Sequence, residues 1–192
     1  MRPWGRKAAQ ETGARIAMGC CFSQSASPGT SSGAEAVGLP EIGIPASAKG
    51  KDVVVDNANL SISGSGSALA SAPIEQDRAY WEVKVVDPGS QGRIRVGVSR
   101  RLKEEDLHQE IDEASQGDKR RVWSFQQGDL KAGDVVGVTF GQSDLPNLSF
   151  LVNGEPQPAF DVKKIGGLVY PIFSVGQGAT LRVVFDPEHF EQ

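Results

Sequence analysis

Short segments in which every second residue is apolar recur through most of the chain. In the segment YWEVKVV, the apolar residues Trp81, Val83 and Val85 alternate with the charged residues Glu82 and Lys84. A period of two places alternate side chains on opposite faces of a β-strand. The pattern therefore predicts a strand whose apolar residues are buried and whose charged residues face away from the core. Further short apolar segments are GRIRVGVS, DVVGVTF, NLSFLVNG, VYPIFSV and ATLRVVF.

Turn signals separate these apolar segments. Three of them combine Gly with Pro, Asp or Gln, at residues 87–89, 132–134 and 176–178. A fourth, Asn153-Gly154, directly follows an alternating segment and predicts a β-hairpin, because both residue types tolerate a positive φ. Many short strands with regular turns are typical of an all-β sandwich or barrel.

A charged segment at residues 101–113, RLKEEDLHQEIDE, interrupts the series of predicted strands. Leu107 and Ile111 lie four positions apart in it, on a charged background. This spacing fits either a short surface helix or a solvated loop, and both interpretations stay open at this point.

Two basic clusters flank the charged segment, and they allow two interpretations. In the first, they only balance the neighbouring acidic residues on a solvated face. In the second, they bind an acidic segment of a protein partner, because guanidinium groups bind carboxylates in a bidentate manner. The candidate partner-binding residues are Arg100, Arg101, Arg120 and Arg121.

The first 50 residues differ in composition from the rest. Residues 22–50 contain 19 Ser, Ala, Gly or Pro among 29 positions. A segment of this composition buries too little apolar surface to offset its chain entropy, so we expect a flexible linker. The sequence therefore predicts a disordered N-terminal tail at residues 1–50 and one β domain at residues 51–192.

The tail contains the sequence MGCCFS at residues 18–23. Gly19 directly follows a methionine and has a serine four positions later, which is the pattern of N-myristoylation. Cys20 and Cys21 are candidate palmitoylation sites, and a second lipid is what stable membrane attachment requires. Acylation of Gly19 requires translation to begin at the second methionine, or processing that exposes Gly19. If the native protein begins at its first methionine and is not processed, the cysteines are plain tail residues.

Charge and composition argue against several classes of function. The formal net charge of −4 argues against a general nucleic-acid binder. The only two cysteines are adjacent, so no disulfide framework is expected, which favours a reducing compartment. The only two histidines, His108 and His189, have no cysteine in the domain as a partner for a nucleophilic or zinc site. We therefore nominate no catalytic residue, no metal ligand and no cofactor.

The order of the apolar segments resembles the SPRY domain family. The segments that match in order are AYWEVKVV, GRIRVGVS, VWSF, LKAGDVVGVTFG, NLSFLVNGE and LVYPIFSVGQGATLRVVFD. The resemblance covers about residues 50–190, and the upstream piece that runs from GKDVVVDN to GSGSALASAPI is similar to one subgroup of the family. It implies a bent antiparallel β-sandwich, of the concanavalin-like jelly-roll type, that recognises proteins through loops at one rim. No catalytic machinery comes with this fold.

The resemblance has a limit in the charged segment, because the chain departs from many relatives between Ser99 and Arg121. No specific ligand of another SPRY protein is therefore transferred to this chain. The family's Trp-Ser segment packs inward, which implies that Trp123 belongs to the core.

These observations lead to one main hypothesis and one alternative. The main hypothesis is a monomeric, cytoplasmic, non-enzymatic adaptor that binds a protein or peptide and is tethered peripherally to a membrane by N-terminal lipids. The alternative is a carbohydrate-binding, lectin-like module, because lectin-like sandwiches share this architecture. The loop containing Asp144 and Asn147 is what the sequence offers for that alternative.

Overall fold

The chain folds into a sandwich of two antiparallel sheets. The computed structural model describes residues 42–117, 119, 121–126, 128–142 and 145–185. The strands are β1 (Val53–Asp56), β2 (Ser61–Gly64), β3 (Gly66–Leu69), β4 (Arg78–Asp87), β5 (Ile94–Ser99), β6 (Val122–Phe125), β7 (Val135–Gly141), β8 (Asn147–Val152), β9 (Glu155–Pro156), β10 (Val162–Lys163), β11 (Tyr170–Val175) and β12 (Thr180–Val184). One short α-helix, α1 (Glu104–Leu107), and three 3₁₀ turns (Ala46–Ala48, Glu113–Ser115 and Pro158–Phe160) accompany them.

The two sheets differ in size. The larger sheet has eight strands in the order β1-β2-β12-β4-β7-β8-β10, with β9 paired to β8. The smaller sheet has four strands in the order β3-β11-β5-β6. The predicted all-β sandwich is confirmed. None of the helices in the described part of the chain is long and apolar enough to span a membrane.

The strand register predicted for YWEVKVV is confirmed in β4. Trp81 is 2 % exposed, and Val83 and Val85 are fully buried. Glu82 is half-buried and Lys84 is exposed. Because β4 lies inside the larger sheet between β12 and β7, its apolar face contributes to the centre of the sandwich core.

The core between the sheets is built from the inward-facing residues of both. Trp123 and Phe125 of β6 are buried in it, which confirms that Trp123 is a core residue. The ring of Phe125 stacks on Phe150 of β8, with 5.2 Å between the ring centroids. This contact joins the edge strand of the smaller sheet to the larger sheet.

The predicted hairpin at Asn153-Gly154 is also confirmed. The two residues have φ values of 51° and 83°, and they connect β8 to the antiparallel strand β9. The Asn153 side chain adds two hydrogen bonds, one from the Val135 amide (2.9 Å) and one to the Asp134 carboxylate (3.0 Å). Asn and Gly tolerate a left-handed backbone conformation, which explains why these two residues occupy the turn.

The packed region begins before the predicted boundary at residue 50. Ile44 is 1 % exposed and belongs to the main core. Lys49 forms a β-bridge with Ala68, and the Gly50 amide donates a hydrogen bond to the Ser67 carbonyl (2.9 Å). We expected these residues in the linker because the prediction rested on the average composition of residues 22–50. An average does not reveal that a single apolar residue, Ile44, packs in the core.

Candidate functional site

Most of the charged segment, together with the three residues after it, lies across the outer face of the smaller sheet and forms a cap. We call residues 103–116 the cap segment. Leu107 is 1 % exposed and Ile111 is 8 % exposed. They pack in a cluster of their own with residues from the outer face of the sheet, which are Leu69, Val122 and Ile172. The short-helix interpretation therefore holds for Glu104–Leu107 only. The rest of residues 101–112 is irregular backbone, but the burial of Leu107 and Ile111 shows that the segment is not a fully solvated loop.

Two buried serine hydroxyl groups on the sheet bind the backbone of the cap segment. The Ser67 hydroxyl donates a hydrogen bond to the Gln109 carbonyl (2.9 Å). The Ser174 hydroxyl accepts one from the Ile111 amide (2.9 Å) and donates one to the Gly66 carbonyl (3.2 Å). Both serines are at most 2 % exposed. The cap is thus held by buried hydrogen bonds as well as by apolar contacts, so its position on the sheet is well defined.

Two glycines permit the close approach of the cap segment. A Cβ atom on Gly50 would overlap the Leu107 carbonyl, and one on Gly176 would overlap the Glu110 carboxyl group. Gly176 belongs to the turn between β11 and β12. A side chain at position 50 would therefore displace the backbone of the cap, whereas one at position 176 would displace the Glu110 carboxyl group.

A cleft of about 540 Å³ lies between the cap segment and the beginning of β5. Its walls come from the β2–β3 turn, β5 and the residue before it, the cap segment, the end of β6 and β11. The polar groups that argue for a binding site are Ser65, Arg93, Arg95, Glu110, Asp112 and Gln126. The cleft thus brings hydroxyl, guanidinium, carboxylate and amide groups together within a volume typical of ligand sites.

Glu110 crosses one part of this cleft. Its Oε2 atom lies 3.4 Å from Arg93 Nη1, and its Oε1 atom accepts a hydrogen bond from the Ser65 hydroxyl (3.1 Å). The Arg93 side chain is 52 % exposed and also donates from Nε to Gln91 (2.9 Å). The Glu110–Arg93 pair is therefore an outward-facing ion pair, a kind that contributes little to stability.

Arg95 provides the second guanidinium group of the cleft and is half-buried. Burial lowers the pKa of Arg95 from its ordinary value, while the negative charges of Glu113 and Asp112 oppose this effect. Arginine stays protonated throughout the physiological range even so. Among the described residues, Arg95 has no ion pair within 4.0 Å. A partly desolvated cation without a close carboxylate partner is suited to bind an external acceptor.

Three of the predicted partner-binding arginines, Arg100, Arg101 and Arg121, lie at the other end of β5 and are not among the residues that line the cleft. Arg100 donates from Nη2 to the Gly166 carbonyl (2.7 Å), so its guanidinium is held by its own chain. Arg101 and Arg121 are exposed. The Arg121 carbonyl accepts a hydrogen bond from the Arg100 amide (2.9 Å), which places these two residues next to each other. Arg120 lies outside the described residues, and the basic surface stays a prediction.

Several other residues singled out in the sequence lie outside the described part of the chain. They are Gly19, Cys20, Cys21, Asp144 and His189. Within the part that the structure does describe, no three His, Cys, Asp or Glu side chains are grouped so as to hold a metal ion.

Comparison with known proteins identifies the family. A family model described as "SPRY domain" matches residues 78–188. The chain belongs to the SPRY domain family. SPRY domain-containing protein 7 of the mouse is 29 % identical over 157 residues, which cover 77 % of this chain and 77 % of that protein. That protein represents the subgroup that the upstream segment GKDVVVDN resembles.

Solved structures with low sequence identity share the SPRY fold. The SPRY domain of human HERC1 superposes with a TM-score of 0.51 at 17 % identity, over 70 % of this chain and 93 % of that one. The NHR domain of Neuralized from Drosophila melanogaster gives 0.55 at 11 % identity, over 79 % and 95 %. SPRY domains are protein-interaction modules and are generally non-catalytic. The family match begins at β4, so Ser65 of the cleft comes from the β2–β3 turn, upstream of the matched residues.

Proposed function

We propose that this SPRY domain is a non-enzymatic adaptor that binds an extended segment of a protein partner in the cleft between the cap segment and the beginning of β5. The observation that carries the proposal is the cleft itself, where Arg95 is half-buried without an ion pair among the described residues. Both walls of the cleft are fixed, because the sheet forms one and the buried Ile111 and Ser174 anchor the other. A site on rigid elements can select a partner at a low entropic cost.

The chemistry of the cleft suits a peptide better than an apolar ligand. Guanidinium groups and the Ser65 hydroxyl donate hydrogen bonds, whereas Glu110 and Asp112 accept them. An extended peptide offers alternating carbonyl and amide groups that match such a mixed lining. Among the described residues, Ile111 is the one apolar residue that lines the cleft, so polar contacts would set specificity.

An affinity pulldown with Arg95→Ala tests this proposal. The variant removes the half-buried guanidinium without opening the sandwich core, because Arg95 faces outward between the core residues Ile94 and Val96. We expect partners captured by the unchanged protein to be lost. The matched control is Arg182→Ala, which removes an exposed arginine from β12, away from the cleft. Capture that is unaffected by Arg95→Ala, in a variant with unchanged thermal unfolding, would refute the cleft as the binding site.

A second part of the proposal concerns the tail. Acylation of Gly19 together with Cys20 and Cys21 would tether the adaptor to the cytosolic face of a membrane, since two lipids are needed for stable attachment. Intact mass spectrometry of the native protein reads the first residue and the lipids together. We expect Gly19→Ala to abolish myristate incorporation and to shift the protein into the soluble fraction. A native protein that begins unprocessed at the first methionine would end the myristoylation hypothesis.

No observation on the described residues favours the carbohydrate-binding alternative. A glycan array run beside the pulldown discriminates the two functions. Glycan binding that survives Arg95→Ala would support the lectin-like function and contradict the adaptor proposal.

A further inference from the structure

The position of Glu110 points to how the cleft selects its partner. Its carboxylate is bound by two groups from different parts of the fold, the Ser65 hydroxyl of the β2–β3 turn and the Arg93 guanidinium before β5. It lies directly over Gly176, where a Cβ atom would overlap it. The fold therefore provides two donors that bind a carboxylate, and the Glu110 side chain of the cap segment occupies both of them.

Both contacts to the Glu110 carboxylate are weak. The distance of 3.4 Å to Arg93 exceeds the 2.7–2.9 Å range that is typical of charge-assisted hydrogen bonds. The distance of 3.1 Å from the Ser65 hydroxyl is long for a bond of its type. A second carboxylate with better geometry could therefore displace Glu110 from these two donors.

The cap segment does not depend on Glu110 for its position. Leu107 and Ile111 anchor it by burial, and the hydroxyls of Ser67 and Ser174 hold its backbone. The Glu110 side chain can consequently swing out of the cleft while the cap stays in place. Because other residues anchor the cap, the Glu110 side chain can be exchanged for a ligand without loss of the cap structure.

Arg95 strengthens the case for an acidic occupant. It lines the same cleft, is half-buried, and has no ion pair within 4.0 Å among the described residues. A carboxylate that replaced Glu110 would gain the guanidinium of Arg93 and the nearby positive charge of Arg95. A neutral side chain cannot form charge-assisted hydrogen bonds with these guanidinium groups, so it would gain less from the cleft than a carboxylate.

We propose that Glu110 is an internal stand-in for a partner's carboxylate, so that the cleft selects an aspartate or glutamate side chain that displaces Glu110 from Ser65 and Arg93. The inference rests on the proposed function and specifies the chemistry of the partner. Glu110 also lowers the apparent affinity, since a site that is occupied by its own side chain is available only part of the time.

A random dodecapeptide library displayed on phage provides the probe. We expect selection on the full-length protein to enrich peptides with an aspartate or glutamate at one fixed position. Fluorescence polarisation with the selected peptides should show binding to Glu110→Ala that is about three- to tenfold tighter than to the unchanged protein. When the acidic residue of these peptides is changed to Asn or Gln, they should no longer bind Glu110→Ala more tightly than the unchanged protein.

Two control variants separate displacement from general electrostatics. Glu104→Ala removes an exposed carboxylate of α1 and should leave the affinity unchanged. Glu113→Ala removes a negative charge that acts on Arg95 without a contact to Ser65 or Arg93. It should tighten binding less than Glu110→Ala does. An equal gain in both variants that disappears at raised salt would indicate simple charge repulsion and overturn the displacement mechanism.

The remaining outcomes distinguish failure of this inference from failure of the proposed function. Selected peptides without an acidic preference that still require Arg95 would overturn the role of Glu110 and leave the cleft as a binding site. Selected peptides that bind Arg95→Ala as well as the unchanged protein would overturn both proposals. A selection that yields no binder would also count against both.

Discussion

Replacement of Leu107 by alanine should loosen the cap segment without unfolding the sandwich. Leu107 is 1 % exposed, but its cluster is separate from the main core and, within the described ranges, contains five buried residues. Leucine-to-alanine substitutions in protein cores typically cost about 2–5 kcal/mol. We expect about 2 kcal/mol here, at the lower end of that range, because a small cluster near the surface can partly relax.

The amide of Ile111 reports this loss directly, because it is buried and donates to the Ser174 hydroxyl (2.9 Å). If the cap opens locally, a cost of about 2 kcal/mol should accelerate hydrogen exchange at this amide by about thirtyfold. Amides of β4 and β7 in the larger sheet should be much less affected. Leu168→Ala is the matched control, since Leu168 is 52 % exposed and its truncation should leave exchange unchanged.

Two results would refute this reasoning. Unchanged exchange of the Ile111 amide in Leu107→Ala would show that the apolar cluster does not hold the cap. Equal acceleration in β4 and at Ile111 would show that the cap and the sandwich unfold as one unit, so that the two clusters are not energetically separate.

Two further predictions concern the sandwich itself. Trp81→Ala should lower the free energy of unfolding by about 3–5 kcal/mol in chemical denaturation, because it removes a buried aromatic side chain from β4. Unchanged unfolding would contradict the register of that strand. Burial, with the hydrogen bond from its hydroxyl to Glu82 (2.7 Å), raises the pKa of Tyr80 above its ordinary value of 10.0. The folded protein therefore holds this proton more tightly than the unfolded chain, and the stabilisation is full below about pH 10 and lost as the pH rises further. Tyr80→Phe should flatten the decline of stability above that pH, and an identical decline in the two proteins would contradict this.

The sandwich could be predicted from the sequence because its signals are local. Alternation within a strand, as in Trp81, Val83 and Val85, and turn chemistry, as in Asn153-Gly154, act over a few residues. They do not depend on which strands become neighbours. Ile44 was missed because a single apolar residue in a Ser-, Ala- and Gly-rich segment produces no period.

The cleft could not be predicted because it is assembled from residues far apart in the sequence. Ser65 and Glu110 are 45 positions apart, and Ile111 and Ser174 are 63 apart. Arg93 and Arg95 alternate with the buried residues of β5, so their outward direction was readable. What the alternation could not indicate is that the cap segment covers the outer face of the sheet beside them.

The separate cluster beneath the cap has a consequence for truncation and for sequence variation. A shortened chain without residues 103–116 would leave Leu69, Val122 and Ile172 uncovered on one face of the smaller sheet. Contiguous apolar patches of this kind promote self-association, so a loop that looks dispensable in the sequence protects solubility. The polar cleft-lining positions of the same loop, such as Glu110 and Asp112, carry no such constraint. The cap can therefore change its polar residues, and with them its binding preference, as long as Leu107 and Ile111 keep the sheet covered.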